Sequence, residues 1–428
     1  MDKLETDSQN KIEEIRAQHR LETNERRKQK IHDLLTIKRK WTSDESETVV
    51  EITQERVAEF SKQLKKHKKL EILKYLSEAF SHGEKYINTF LSVDGALYSL
   101  IGCLIGKDVN LKLASVVCLI NLGTGSHKST SSCIKTAAVY LLVYLGNGSY
   151  ELQELCVWAL GNFAADCEKC SEILNKQGFV PAVKKLLNSP NEKVQYSAYF
   201  ALACYTHTRR NNTDGKNDLN LMSVEIMDII LRQLSNCLQT QPDTITVITP
   251  LVRALANLCS GEENIIHHCV SKPEIGLVLS SLLQSRYSHV IKESLWLIAN
   301  IVGCNEGVSI LQYPGLLQRV ADLSENIGAI SLQSLVCLCN MAISKQFSKV
   351  LVCEMSIFTK VSRLLQRPDV ETIKGCLTLL ALLLENGDLP KDEVISLSKF
   401  CLVAIEVLKG HEDVDIRNLC NVLIEKLN

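Results

Sequence analysis

The sequence predicts an all-α superhelical solenoid preceded by an N-terminal basic helical arm. Three observations carry this. A phrase of apolar helix, Asn and small-residue turn recurs about every forty residues, and a period in that range marks a solenoid. Apolar residues within each phrase run at i, i+3, i+4 and i+7, as on one face of an α-helix. The 428 residues include only 8 Pro and 20 Gly, and 5% aromatics, too few turn and strand residues for a sandwich or barrel.

Residues 1–60 form the first segment. They are polar, and Asp2, Glu5, Asp7, Glu13 and Glu14 lead into Arg26, Arg27, Lys28 and Lys30. Ile31, Leu34 and Leu35 make a short apolar patch before Lys38, Arg39 and Lys40. Ile12, Ile15 and His19 fall near helical spacing, so a helix over about 10–39 is expected. Such an arm is either a solvated helix or a basic ligand for an acidic groove or nucleic acid.

From about residue 70 to 428 the chain repeats about eight times. LASVVCLINLGTG at 113–125 is followed by LCVWALGNFAAD at 155–166 and SAYFALACY at 197–205. PLVRALANLCSG at 250–261, SLWLIANIVG at 294–303, LVCLCNMA at 335–342 and CLTLLALLLENG at 376–387 continue the series. The positions in phase are Asn121, Asn162, Cys204, Asn257, Asn300, Asn340 and Leu382. Their one irregular interval contains HTRRNNTDGKNDLN, a polar insert at 207–220. A last copy, VDIRNLCNVLIEKL, occupies 414–427. Each unit holds two or three helical segments, and Pro181 sits early in one of them, where its missing N–H costs little. A single unit cannot cover its own apolar face; stacked copies share a core and line a concave groove.

The last helix of each unit is expected to face that groove. Asn at one phase then forms a ladder of amides, each able to donate to and accept from an extended peptide backbone without selecting its side chains. Trp158 and Trp296 precede Asn162 and Asn300 by four residues and stand one turn away, offering apolar faces to a Lys or Arg stem. The plainer alternatives are Asn as a helix-end cap and Trp as core.

These residues resemble the importin-α branch of the armadillo-repeat superfamily. VWALGNFAADCEKC at 157–170 is similar to that family's second-repeat signature, ITPLVRALANLCSG at 248–261 to its fifth, with Arg253 in place of Trp, and VIKESLWLIANIVG at 290–303 to its sixth. ERRKQKIHDLLTIKRK at 25–40 resembles the importin-β-binding segment. The resemblance implies a right-handed armadillo solenoid acting as a nuclear import adaptor in cytoplasm and nucleus. Its groove would take lysine/arginine-rich localisation signals of cargo proteins, and its arm an importin-β-like receptor through Arg26, Arg27, Lys28, Lys30, Lys38, Arg39 and Lys40. It places Asn121, Gly125, Trp158, Asn162 and Asp166 at a first cargo site, with Asp166 as the carboxylate for the critical cargo Lys. Arg253, Asn257, Glu263, Glu293, Trp296, Asn300 and Asn340 fall at a second. The sequence departs from the family at Val117, Phe200, Val336 and Thr378, where Trp is usual, and at Cys204, where Asn is. The rival reading is an armadillo scaffold for a partner that carries no localisation signal.

Other chemistries find no pattern. Net charge is −1, which disfavours a globally basic nucleic-acid binder. The 17 Cys form no spaced framework and read as free thiols in a reducing compartment. Cys167 and Cys170 make a C-x-x-C, but no second pair follows, so no metal or cofactor is expected. His267 and His268 lack a carboxylate at metal spacing and are assigned to surface or packing. GNGS at 146–149 is a turn, and no Walker, GxSxG or HExxH motif is present, so no enzyme is expected. No stretch reaches 18 uncharged apolar residues, and no signal segment opens the chain, so a soluble intracellular protein without membrane insertion is expected.

Overall fold

The computed structural model describes residues 38–42, 51–208, 217–240, 244–260, 263–304, 306–385 and 391–427. All regular elements among them are helices. They fall into two compact units, one of residues 31–216 and one built on 217–428.

The first unit holds α1 (Gln54–Lys66), α2 (Leu70–Ser81), α3 (Glu84–Ser92), α4 (Ala96–Leu104), α5 (Val109–Leu122), α6 (His127–Asn147), α7 (Tyr150–Ala164), α8 (Glu168–Lys176), α9 (Phe179–Leu186) and α10 (Glu192–Thr208). Two short helices precede a long one in α3–α4–α5 and again in α8–α9–α10. Before α7 the pair is replaced by the single 21-residue helix α6. The expected two or three segments per unit are therefore both realised.

Local chemistry sets these boundaries. The Asp108 carboxylate accepts from the N–H groups of Asn110 and Leu111 and starts α5; Ser149 accepts from Leu152 N–H and starts α7. The turns into α4 and α9 use Gly95 at φ +68° and Gly178 at φ +92°, where a side chain would be strained. The ends of α5 and α7 leave orphan carbonyls. Ser129 donates its hydroxyl to Leu122 O, and Ser171 its own to Ala164 O. Both hydroxyls come from the next helix, seven residues on.

Stacking is close. A Cβ at Gly161 in α7 would lie 3.0 Å from the Ala201 Cα of α10. Leu119, Leu160, Phe163 and Ala198 are fully buried in the shared core.

The second unit repeats the scheme in α11 (Asn217–Thr240), α12 (Ile245–Leu258), α13 (Glu263–Val270), α14 (Ile275–Leu283), α15 (Ser288–Val302), a 3-10 segment (Glu306–Gln312), α16 (Leu316–Leu323), α17 (Ala329–Ala342), α18 (Lys345–Cys353), α19 (Ile357–Leu364), α20 (Val370–Glu385), α21 (Lys391–Leu408) and α22 (Val414–Leu427). Of the expected insert over 207–220, Thr208 belongs to α10 and Asn217 opens α11. Residues 209–216 lie outside the described set.

Thiols behave as small hydrophobes with a weak donor. Cys118, Cys337 and Cys401 are buried and donate to Leu73 O, Leu295 O and Phe358 O, one repeat back. Burial pushes the Cys133 and Cys401 thiols up to about 12, which keeps them protonated. His268 has a partner that spacing could not reveal: its Nε2 lies 2.8 Å from the Asp228 carboxylate of α11. Among the described residues no single helix is long and apolar enough to cross a membrane; α3 and α4 pass only as a pair, bent by 96°.

Ser356, before α19, occupies the left-handed turn at φ +50°, the one non-glycine there among the described residues. Ser356→Gly is expected to raise stability by about 0.5 kcal/mol or more, and Gly178→Ala, which meets no neighbouring atom, to lower it by about 1 kcal/mol. Denaturant midpoints of the two variants test both signs.

Candidate functional site

The site begins with the amide ladder. Asn121, near the end of α5, donates from Nδ2 to Ser77 O of α2 at 2.9 Å. Asn162 in α7 donates to Ile120 O of α5 at 3.0 Å. In the second unit Asn300 of α15 donates to Ala256 O of α12, and Asn340 of α17 to Ala299 O of α15, each at 2.9 Å. Ile120, Ala256 and Ala299 sit immediately before Asn121, Asn257 and Asn300, in the last turn of their helices. Asn162 and Asn300 thus satisfy carbonyls that the neighbouring helix leaves open, whereas Asn340 adds a second donor to Ala299 O, which also accepts from Gly303 N–H, and Asn121 bonds a carbonyl inside α2. The cap is real, but it serves the preceding repeat rather than the helix that carries the Asn.

In the first unit the remaining amide capacity meets residues 38–42, which lie along α5 and α7. The expected helix over about 10–39 does not reach them, since Lys38 and Arg39 are non-helical. Their amide groups turn outward to the ladder, which a helix would prevent. Arg39 N–H donates to Asn162 Oδ1 at 3.0 Å, and Arg39 O accepts from Asn162 Nδ2 at 3.0 Å. Two residues on, Trp41 N–H donates to Asn121 Oδ1 at 2.8 Å, and Trp41 O accepts from Asn121 Nδ2 at 3.0 Å. Each amide pairs with both backbone groups of one residue, as a neighbouring strand would. Increasing residue number along the segment meets earlier repeats, so the segment runs antiparallel to the stack.

Side chains then select. Lys38 Nζ lies 2.7 Å from Asp166 Oδ1, 3.3 Å from Gly125 O and 3.2 Å from Thr130 Oγ1. The pair is largely shielded, with 12% of the Lys38 and 7% of the Asp166 side chain exposed. Burial pushes the Asp166 carboxyl upward, but the hydrogen bond and charge of Lys38, with His127 behind them, outweigh it and hold the group below its ordinary value. Trp158 Nε1 donates to Arg39 O at 3.2 Å. The Arg39 guanidinium stacks over Phe200 at 4.2 Å and Tyr196 at 4.6 Å. Phe200, at a position where Trp is usual, therefore still supplies an aromatic face, and Tyr196 adds another. Cys204 and Ala165 bury against Phe200, with Trp158 packed on them. An open cleft of about 760 Å³ continues beside Trp41 and Trp158 and carries Glu151 and Glu154.

Asn121, Gly125, Trp158, Asn162 and Asp166 are thus brought together along residues 38–41. Sequence reasoning missed Thr130, His127 and Tyr196; the last was signalled by its position one turn before Phe200. In the second unit Arg253 of α12 donates to Glu293 of α15 at 3.3 Å, so the expected acidic position is already engaged by a guanidinium. Asn257, Asn300, Asn340 and Trp296 are buried, and Glu263 is exposed in the first turn of α13. Asn300 Oδ1 is buried without a hydrogen-bond partner. Arg26, Arg27, Lys28 and Lys30 lie outside the described residues; Lys40 is exposed.

No protein-family profile matches the chain. It is 22% identical over 389 residues to importin subunit alpha-9 of Arabidopsis thaliana, covering 78% of this chain and 74% of that protein. It is 25% identical over 173 residues to importin subunit alpha-1b of Oryza sativa subsp. japonica, covering 40% of this chain and 30% of that one. The crystal structure of an engineered protein superposes with a TM-score of 0.60 at 20% identity, over 88% of this chain and 99% of that one. These distant likenesses support an importin-α-like armadillo-repeat fold.

Two outcomes follow from the geometry. Asn162→Ala removes the donor to Ile120 O and is expected to destabilise the first unit by about 1–3 kcal/mol, measured by chemical denaturation. Because the Asp166 pKa is lowered, the Lys38 contact is complete above the ordinary value of 3.8 and lost as pH falls through the lowered one. Hydrogen exchange at Arg39 and Trp41 should therefore stay slow from neutral pH to about pH 4, with Asp166→Asn abolishing that protection.

Proposed function

We propose that the protein is an importin-α-like nuclear import adaptor whose first unit binds lysine/arginine-rich peptides of cargo proteins. The carrying observation is the occupancy of the site by the chain's own Lys38 and Arg39. An Asp166, Gly125 and Thr130 pocket takes a Lys head, the adjacent aromatic faces take an Arg, and two Asn hold the backbone of whatever carries them. The groove therefore favours a Lys-Arg step in an extended segment. Residues 38–42 act as a resident competitor. Only eight residues separate them from residue 51, so their effective concentration at the site is high, on the order of millimolar for a short tether. An external basic peptide must displace them.

In this reading the basic arm, with Arg26, Arg27, Lys28, Lys30, Lys38, Arg39 and Lys40, is also the segment that an importin-β-like receptor draws away, and capture of the arm opens the groove. The second unit offers Asn257, Asn300, Asn340, Trp296, Glu263 and Glu293 for a further basic segment. There the Arg253–Glu293 pair makes a weaker attraction for a cation, because the acid's charge is already met. The protein would then work between cytoplasm and nucleus.

Fluorescence anisotropy with a labelled Lys-Arg peptide tests the groove. Lys38→Ala/Arg39→Ala is expected to bind about tenfold tighter than the unaltered chain, through loss of the tethered competitor. Asp166→Lys, made in that background, should abolish binding, and raising salt should weaken it. If neither the unaltered chain nor the double variant binds the peptide at micromolar concentration, the groove serves another partner and the scaffold reading stands. A pull-down of importin-β by residues 1–45, lost on changing Arg26, Arg27, Lys28, Lys38, Arg39 and Lys40 to Ala, tests the arm.

A further inference from the structure

Asp166 has a second face. Its Oδ1 meets Lys38, while its Oδ2 lies 2.5 Å from His127 Nδ1, on α6 of the preceding repeat, and accepts from the Cys170 thiol at 3.5 Å. Cys167 Sγ and Cys170 Sγ lie 3.7 and 4.0 Å from the same His127 nitrogen. All four donor atoms fall within 4.8 Å of one another. It is the one His/Cys/Asp/Glu cluster of this kind among the described residues. The C-x-x-C alone lacks the ligands to close a metal sphere; the fold supplies the other two from the end of α7 and from a helix about forty residues upstream.

We propose that His127, Asp166, Cys167 and Cys170 form a zinc site at the edge of the groove. Two thiolates and an imidazole select a thiophilic divalent ion over magnesium or calcium, and the carboxylate completes four-coordination. Zinc–ligand bonds of about 2.0–2.3 Å put neighbouring donors of a tetrahedron roughly 3.3–3.8 Å apart. The Cys167–His127 and Cys170–Asp166 separations already fall there, and the Cys170–His127 one needs only a few tenths of an ångström. His127 and Asp166 must part by about 1 Å, as the ion takes the place of the proton between them. Cys167 also caps α8, its sulfur accepting from Cys170 N–H, which fixes the sulfur's position beside the other donors. The His127 side chain is 61% exposed, so an ion has a path in.

Binding is balanced by proton release. Each thiol gives one proton to solvent as its sulfur takes the ion, and the His127 ring stays neutral by carrying its proton on Nε2. Two thiolates, one carboxylate and one Zn²⁺ sum to −1, the charge of the metal-free cluster with two thiols and one carboxylate. The Lys38 ammonium therefore meets the same net charge in both states. With Oδ2 on the ion, Oδ1 stays aimed at the groove, so the metal would orient the carboxylate that receives the Lys head.

The site is independent of what the groove carries, and its test uses no peptide. The full chain, reduced and stripped with a chelator, is titrated with Co²⁺ and followed by absorption. One equivalent per chain is expected, with a thiolate-to-cobalt charge-transfer band and tetrahedral visible bands, both erased by Zn²⁺. Cys167→Ser/Cys170→Ser should lose the charge-transfer band, whereas Cys237→Ser/Cys353→Ser should keep it. His127→Ala, a change at an exposed ring, should lower the affinity at least tenfold while leaving the helical circular dichroism unchanged, so the assignment is decided even where the double Cys variant fails to fold. No stoichiometric cobalt binding, or an unchanged band and affinity in His127→Ala and the double Cys variant, would overturn it.

Discussion

The structure depends on one hydrogen bond repeated along the stack: a side-chain amide on one helix reaching a backbone carbonyl in a helix of the preceding repeat. The last carbonyls of a helix lack intrahelical partners. Asn162 and Asn300 supply one from the next repeat to Ile120 O and Ala256 O, and Asn121 and Asn340 make the same bridge to Ser77 O and Ala299 O. The bond fixes the side chain's rotation. At Asn121 and Asn162 the second N–H and the oxygen then form a fixed donor–acceptor pair for the segment 38–42. Packing and recognition are thus the same device, and an extended chain docks on it by backbone alone, as residues 39 and 41 do.

Selectivity comes from what surrounds the ladder. The Lys38 ammonium gives up most of its water and receives a carboxylate, a carbonyl and a hydroxyl in return. This complement suits a compact ammonium; the planar guanidinium of Arg39 is met instead by two ring faces. Glu293 differs because a guanidinium from within the fold already engages it. Asp166 meets its cation from the segment 38–42, whereas Glu293 meets one from a helix of its own unit.

The repeat, its helical content and the common phase of Asn121, Asn162, Asn300 and Asn340 were legible because stacking imposes a period on the chain. Apolar spacing of i, i+3, i+4 and i+7 and a left-handed glycine at Gly95 or Gly178 are local requirements, and local requirements are written in adjacent residues. The pairing of Trp158 with Asn162 was readable for the same reason, being one helical turn. Composition marked 207–220 as a polar insert but not its helix boundaries, which fall at Thr208 and Asn217.

The contacts decided only in three dimensions join residues of neighbouring repeats. Tyr196 and Phe200 become a slot for Arg39 because α10 is stacked on α7. His127 reaches Cys167 and Cys170 across some forty residues, a separation no ligand-spacing rule contains. Lys38 meets Asp166 across 128 residues. The sequence by itself determined the periodic scaffold, since helix faces and turns are properties of neighbouring residues. Only the tertiary structure decided which charge meets which, because one repeat's rise brings together side chains whose distance along the chain is set by the stack.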